Sequence, residues 1–254
     1  MIHIENLTVN YPGKKVLKNL NLSIPQGKIT ALIGPNGCGK STLLKAISGG
    51  LKVAEGKVSI VDLDLSTLSN KNRAKKLSIL PQSPITPEGV TVQQLVSFGR
   101  NPYLSQWGIL SADDNKKVLK ALRDTGLIEL SQRPVNALSG GQRQRVWIAM
   151  ILAQDTEYIL LDEPTTYLDL THQVELMEMI KTMNKQGKTI VVVLHDLNQA
   201  SRYSDELIVM KAGKIHAQDS PEKIFNSYLL QDVFDLNAII INDPVANKPM
   251  CVPL

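Results

Sequence analysis

Only two cysteines, Cys38 and Cys251, occur among 254 residues, one in a glycine-rich loop and the other close to the end. Thiols that sparse form neither a disulfide framework nor a metal-binding spacing, and their scarcity fits a reducing cytoplasm. Long apolar runs are also missing. Short runs such as Ile190 to Leu194 and Ala238 to Ile241 fall well short of the ~20 residues that a membrane-spanning helix needs. No part of the chain is expected to cross a bilayer, and work at a membrane would require another subunit to hold it there. The opening MIHIENLTVNY has neither the basic nor the apolar region of a secretory signal. Finally, no block of one charge dominates. The net charge is +4, and the densest basic run, Lys71 to Lys76, holds four basic residues. That is the size of a solvated face, and no nucleic-acid partner is expected. With 43% hydrophobic and 20% charged residues, the composition is that of a folded globular chain.

What is present reads as one large α/β domain with a smaller lobe attached. The first 30 residues alternate apolar and polar (Ile2, Ile4, Leu7, Val9, then Leu20, Leu22, Ile24) around a turn at Pro12-Gly13, the pattern of paired strands. Ile29 to Ile33 is a short buried strand that runs into a glycine-rich loop, and Thr42 to Ser48 reads as a helix closed by Gly49-Gly50. From about Ser83 to Leu138 the texture becomes helical, with Thr91 and Ser111 each placed to start a helix. Strands then return at Tyr158 to Leu161 and Thr189 to Leu194, separated by an amphipathic helix over Thr171 to Gln186. Strands alternating with helices imply a parallel sheet, with phosphate ligands beyond the carboxyl ends of its strands. The tail from Pro221 shows two short helical patterns and a proline-bearing end.

Gly34 to Ser41 fits G-x-x-x-x-G-K-[ST], between a strand and a helix. Glycines let backbone N–H groups turn toward phosphate oxygens, Lys40 reaches the outer phosphates, Ser41 offers a hydroxyl to Mg²⁺, and the helix N-terminus adds its dipole. Asp162 ends a strand of four apolar residues, and a carboxylate there needs a cation or donors to offset its burial. A Mg²⁺ beside a nucleotide is the natural partner, although a turn-capping carboxylate before Pro164 is the alternative. Glu163 can align or deprotonate an attacking water, or stand solvated. His195, also at a strand end, is either structural or a hydrogen-bond donor to the γ-phosphate. Leu138-Ser139-Gly140-Gly141-Gln142 opens a second helix, running to Gln154. Read alone it is an N-cap with adjacent glycines. Beside the first loop it is a second phosphate cradle, which one nucleotide does not need.

Taken together these residues resemble the ATP-binding subunits of ABC transporters over nearly the whole chain. GPNGCGKS resembles the Walker A motif, YILLDE the Walker B motif with its glutamate, and LSGGQ the family signature. Tyr11 matches the aromatic residue that stacks on adenine, Gln82 the Q-loop glutamine, Asp169 in TTYLD the D-loop aspartate and His195 the switch histidine. The resemblance implies a P-loop NTPase core with a parallel sheet (1–82 and 139–254), N-terminal antiparallel β strands and an inserted helical subdomain (83–138). It implies ATP and Mg²⁺ as ligands, held by Tyr11, Gly34, Pro35, Asn36, Gly37, Cys38, Gly39, Lys40, Ser41, Thr42, Gln82, Asp162, Ser139, Gly140, Gly141, Gln142 and Asp169, with Ser41, Gln82 and Asp162 toward the metal. Glu163, His195, Lys40 and Gln82 would carry hydrolysis. It further implies a head-to-tail dimer sandwiching ATP, two transmembrane permease subunits, an indirect substrate-binding protein, and a place on the cytoplasmic face of the membrane. The wording TTYLDLTHQVELMEMI, HDLNQASRYSDELIVMKAGKI and FGRNPY resembles the subgroup that serves iron–siderophore, haem and cobalamin importers, and the aromatic Tyr167 looks most like the iron–siderophore branch. Cys38, inside the phosphate loop, reads either as a small neutral filler or, if exposed as a thiolate, as a site where a thiol modifier would crowd the phosphates.

Overall fold

The computed structural model describes residues 1–105 and 108–254. In chain order the elements are β1 (Ile2–Tyr11), β2 (Lys14–Ile24), β3 (Ile29–Ile33), α1 (Lys40–Ser48), β4 (Glu55–Ile60), β5 (Leu63–Asp64), α2 (Asn70–Ala74) and β6 (Leu77–Leu80). They continue with α3 (Val92–Ser97), α4 (Ala112–Asp124), α5 (Gly140–Gln154), β7 (Tyr158–Asp162), α6 (Leu170–Lys185), β8 (Thr189–Val193) and α7 (Leu197–Tyr203). The last are β9 (Glu206–Lys211), β10 (Lys214–Asp219), α8 (Pro221–Ile224), α9 (Ser227–Phe234), β11 (Ala238–Asn242) and β12 (Pro249–Pro253).

The central sheet has the strand order β10-β9-β3-β8-β7-β6, and its inner strands run parallel. Every residue of β3, β7 and β8 is buried. That is why these strands read as unbroken apolar runs: both faces of a parallel sheet are covered. Successive residues of β8 serve opposite cores. Ile190 and Val192 join α3, α4, α5 and α6 on one face, while Val191 and Val193 join α1 and the antiparallel sheet β2-β1-β4-β5 on the other. The helical segment therefore shares one apolar core with the sheet. Thr91, Ser111 and Ser139 each cap a helix with a reciprocal bond from the third residue of its first turn, which satisfies donors that the helix itself cannot.

The basic run is mostly exposed, and two of its four basic residues also make internal bonds. Arg73 donates to the carbonyls of Leu65 and Leu68, and Lys71 to that of Leu104. Among the described residues no helix is long and apolar enough to cross a membrane.

The tail departs from its sequence reading. The two helical patterns are α8 and α9, but the proline-bearing end is a hairpin, β11 with β12. Pro249 and Pro253 sit at the two ends of β12, where a strand tolerates a missing N–H. The hairpin docks on α7 through Asn198, whose amide donates to the Cys251 carbonyl and accepts from the Cys251 N–H.

Candidate functional site

The carboxyl ends of β3, β7, β8 and β6 lead into Gly34, Glu163, Leu194-His195 and the segment bearing Gln82. One sheet edge thus collects side chains from four separated stretches of sequence. After β3 the chain turns sharply. Gly34 has φ 149°, and a Cβ there would strike the Met210 carbonyl oxygen and lie 2.8 Å from Cys38 Sγ, so only glycine fits. Gly39, at φ 110°, is the N-cap of α1 and has no side chain to cap it. The first-turn amides are left to a ligand. They border a cavity of about 270 Å³ lined by Asn36, Gly37, Gly39, Lys40, Ser41, Thr42, Val16 and Glu163. Lys40 is 5% exposed, and its ammonium donates to the carbonyls of Gly34 (2.7 Å) and Pro35 (3.2 Å). Its charge is thus held inside the loop by two weak acceptors that an anion would replace.

Asp162 is 2% exposed and accepts a 2.9 Å hydrogen bond from Ser41 Oγ. Burial pushes its carboxyl above the ordinary range, and the Ser41 bond partly counters it. A buried carboxylate whose direct partner is one hydroxyl lacks a cation, and an oxygen-only pair of this kind suits a hard divalent ion such as Mg²⁺. No cluster of three or more His, Cys, Asp or Glu is found among the described residues. Glu163 has a left-handed backbone, φ 52°, which is strained for a non-glycine residue. Its Oε1 lies 2.6 Å from His195 Nε2, its Oε2 accepts from Gln82 Nε2 at 2.5 Å, and Thr166 Oγ1 reaches the same oxygen at 3.4 Å. The carboxylate is fixed on both oxygens at the mouth of the phosphate cavity.

The second cradle stands apart, as none of Ser139 to Gln142 lines that cavity. Ser139 Oγ accepts from the Gln142 N–H, and the Gln142 side chain accepts from the Ser139 N–H. Gln144 donates to the Pro164 carbonyl at 2.8 Å, which ties α5 to the loop that follows Glu163. Asp169 is the N-cap of α6 rather than a wall of the cavity. Tyr11, 39% exposed, ends β1. The structure therefore brings Lys40, Ser41, Gln82, Asp162, Glu163 and His195 together, and leaves Ser139–Gln142 and Asp169 as a second group.

Sequence reasoning missed Thr166, Gln144 and His172. Thr166 and Gln144 carry no pattern of their own. His172 had a signal, since it lies three residues after Asp169 at the start of a helix, within reach of the cap. Of the two readings of Cys38, its burial favours the neutral filler. It is 4% exposed, and burial raises its thiol pKa, because the side chain points under the loop toward Gly34.

A glycine loop between a buried parallel strand and a helix, with an acidic strand end beside it, defines a nucleoside-triphosphate-binding P-loop protein. The family described as ABC transporter matches residues 17–166, and the chain belongs to that family as an ATP-binding ATPase subunit. It is 50% identical to the achromobactin transport ATP-binding protein CbrD of Dickeya dadantii, over 97% of this chain and 92% of that one. It is 48% identical to the iron(3+)-hydroxamate import ATP-binding protein FhuC of Bacillus subtilis, over 98% and 93%. Among solved structures, the dimeric ABC transporter cassette MJ0796 superposes with a TM-score of 0.77 at 33% identity, over 87% of this chain and 98% of that one.

Proposed function

We propose that this chain hydrolyses ATP as the motor of a ferric-chelate (iron–siderophore) importer, working as a head-to-tail dimer on the cytoplasmic face of the membrane. Two permease subunits would hold it there, and a substrate-binding protein would deliver cargo to them. The observation that carries the reading is the Glu163 clamp beside the phosphate cavity, on a chain nearly half identical to siderophore-import subunits along its length.

ATP phosphates fill the cavity and take the α1 amides. Lys40 leaves the Gly34 and Pro35 carbonyls for the outer phosphates, an exchange of neutral acceptors for charged ones. Glu163 accepts a proton from the attacking water, with His195 and Gln82 fixing its two oxygens. Asp162 and Ser41, with Gln82 nearby, would hold Mg²⁺, which neutralises phosphate charge when bound. Ser139 and the Gly140 amide of the second copy close over the γ-phosphate, so the nucleotide stabilises the closed dimer more than the open one. The helical subdomain, residues 83–138, and Gln82 form the side toward the permeases.

Glu163→Gln tests this. A glutamine keeps an acceptor and a similar shape but is no base, and loss of a general base costs about 10²–10⁴-fold in rate. Phosphate release should fall by that factor while an ATP-dependent dimer accumulates on size-exclusion chromatography. Monomers alone at saturating ATP would reject the sandwich. For the cargo, a strain lacking this chain should lose growth on ferric chelates under iron limitation and keep growth on free iron salts; unchanged chelate use would reject the importer reading.

A further inference from the structure

The two glycines of the signature peptide have different surroundings. At Gly140 an added Cβ would meet nothing within 4 Å, so that face is open. At Gly141 the same Cβ would collide with the His172 ring of the chain's own α6, against Cδ2 and with Cγ and Nε2 at 2.8 and 2.9 Å. The space where residue 141 would carry a side chain is filled by an imidazole from 31 residues further along.

That imidazole is aimed. Asp169 Oδ1 accepts both the His172 backbone N–H (2.9 Å) and His172 Nδ1 (2.7 Å). One carboxylate oxygen thus caps α6 and fixes the ring orientation, and these two bonds hold its carboxyl below the usual range. With Nδ1 engaged as donor, the remaining edge of the ring lies over Gly141. A further link binds the same pair of helices, Arg145 to Glu175 at 2.6 Å, and Gln144 ties α5 to the loop ahead of α6 through the Pro164 carbonyl. The Asp169 loop and the start of α5 therefore form one unit with His172 as its joint.

We infer that His172 is a positioning residue for ATP hydrolysis: through its contact with Gly141 it keeps the signature helix start in register with the Asp169 loop, so that both meet the partner copy's nucleotide together. Gly141 is then a glycine to admit His172, whereas Gly140 is one to admit phosphate. The inference rests on the sandwich reading above.

A double-mutant cycle separates a shared joint from independent roles. Gly141→Ala, His172→Ala and the pair would be compared, with His172→Gln as the conservative variant. The readouts are affinity of the monomer for a fluorescent ATP analogue, ATP-driven dimerisation in the Glu163→Gln background, and kcat against KM in the native background. Gly141→Ala should lower kcat and weaken dimerisation about tenfold or more, the scale of a ~1.4 kcal/mol change, with nucleotide affinity of the monomer within about twofold. His172→Ala should also weaken dimerisation, His172→Gln less so. Adding His172→Ala to Gly141→Ala should recover part of the loss, because the collision is gone. His172 is partly exposed, so melting temperatures should stay near that of the parent. Additive losses in the pair, or a His172→Ala protein that dimerises as the parent does, would overturn the inference. Absence of any dimer in Glu163→Gln alone would instead overturn the sandwich itself.

Discussion

Removing the Arg100 guanidinium should destabilise the protein severely, and the structure sets the size of the effect. Arg100 is 2% exposed, inside the 3-10 segment Phe98–Tyr103. Its Nε pairs with Asp114 at 2.8 Å, one terminal nitrogen donates to the carbonyls of Ala153 (2.8 Å) and Gln154 (3.2 Å), and the Tyr103 ring stacks on it at 3.8 Å. It thus caps the last turn of α5, the helix that begins with the signature. Gly99 beside it permits this approach, since a Cβ there would strike the Met150 carbonyl of α5. Arg100→Met fills most of the volume but leaves the buried Asp114 charge with its Ser111 donors alone and takes this donor from two carbonyls. Breaking one side of a buried pair costs about 3–5 kcal/mol. At about 2–4 °C per kcal/mol for a chain of this size, the melting temperature should fall by roughly 6–20 °C. Urea unfolding followed by circular dichroism measures it. Arg100→Met/Asp114→Leu, which removes both charges, should recover much of the loss.

Acid pH gives an independent reading of the same pair. The Ser111 hydroxyl and then Arg100 hold the Asp114 carboxyl below its ordinary value. Its stabilisation is therefore complete above the unfolded carboxylate range and disappears as pH falls through the lower folded value. In Arg100→Met the folded value rises, and acid unfolding should start at higher pH. A loss under ~1 kcal/mol, with an unmoved acid limb, would show that the guanidinium is replaceable and that the capping argument is wrong.

Two other outcomes are expected. Ser139→Arg removes the cap from α5, worth about 1 kcal/mol, and places bulk on the open face of the second cradle. ATP binding to the monomer should persist while the dimer fails to close on size-exclusion chromatography, and a wild-type dimer would reduce the peptide to a helix cap. Cys38, buried with its thiol pKa raised, should react with maleimide far more slowly than an unfolded thiol, with no protection by ATP beyond that baseline. Fast labelling quenched by ATP would contradict the buried placement.

The candidate site's sheet edge was legible because each part is written locally. A buried apolar run sets a strand, and the polar residue that ends it is then placed at the carboxyl edge. This located Gly34–Ser41, Asp162-Glu163 and His195 without any knowledge of pairing. Helix starts at Thr91, Ser111 and Ser139 were legible through their caps. What escaped depends on residues that meet across the fold. FGRNPY was visible only as a resemblance, since nothing in the string says that Arg100 is buried under α5. Gly141 looked like any phosphate-loop glycine until His172 was found over it. The β11–β12 hairpin hid behind its prolines, which suit strand ends as well as loops, and its docking depends on Asn198, 53 residues from Cys251. The strands β4, β5 and β10 lack the apolar run of the central strands and are fixed by their neighbours, whereas β9 carries one, Leu207 to Met210.

The separation of the two cradles on one chain has a kinetic consequence. An enzyme whose site is split between identical copies has turnover that scales with the square of its concentration while the copies are dilute. Fastened side by side under the proposed pair of permeases, the same halves would see each other at an effective concentration of the order of millimolar, as short flexible linkages give. Assembly would thereby change the order of the reaction, and unassembled subunits would be quiet without any dedicated inhibitor.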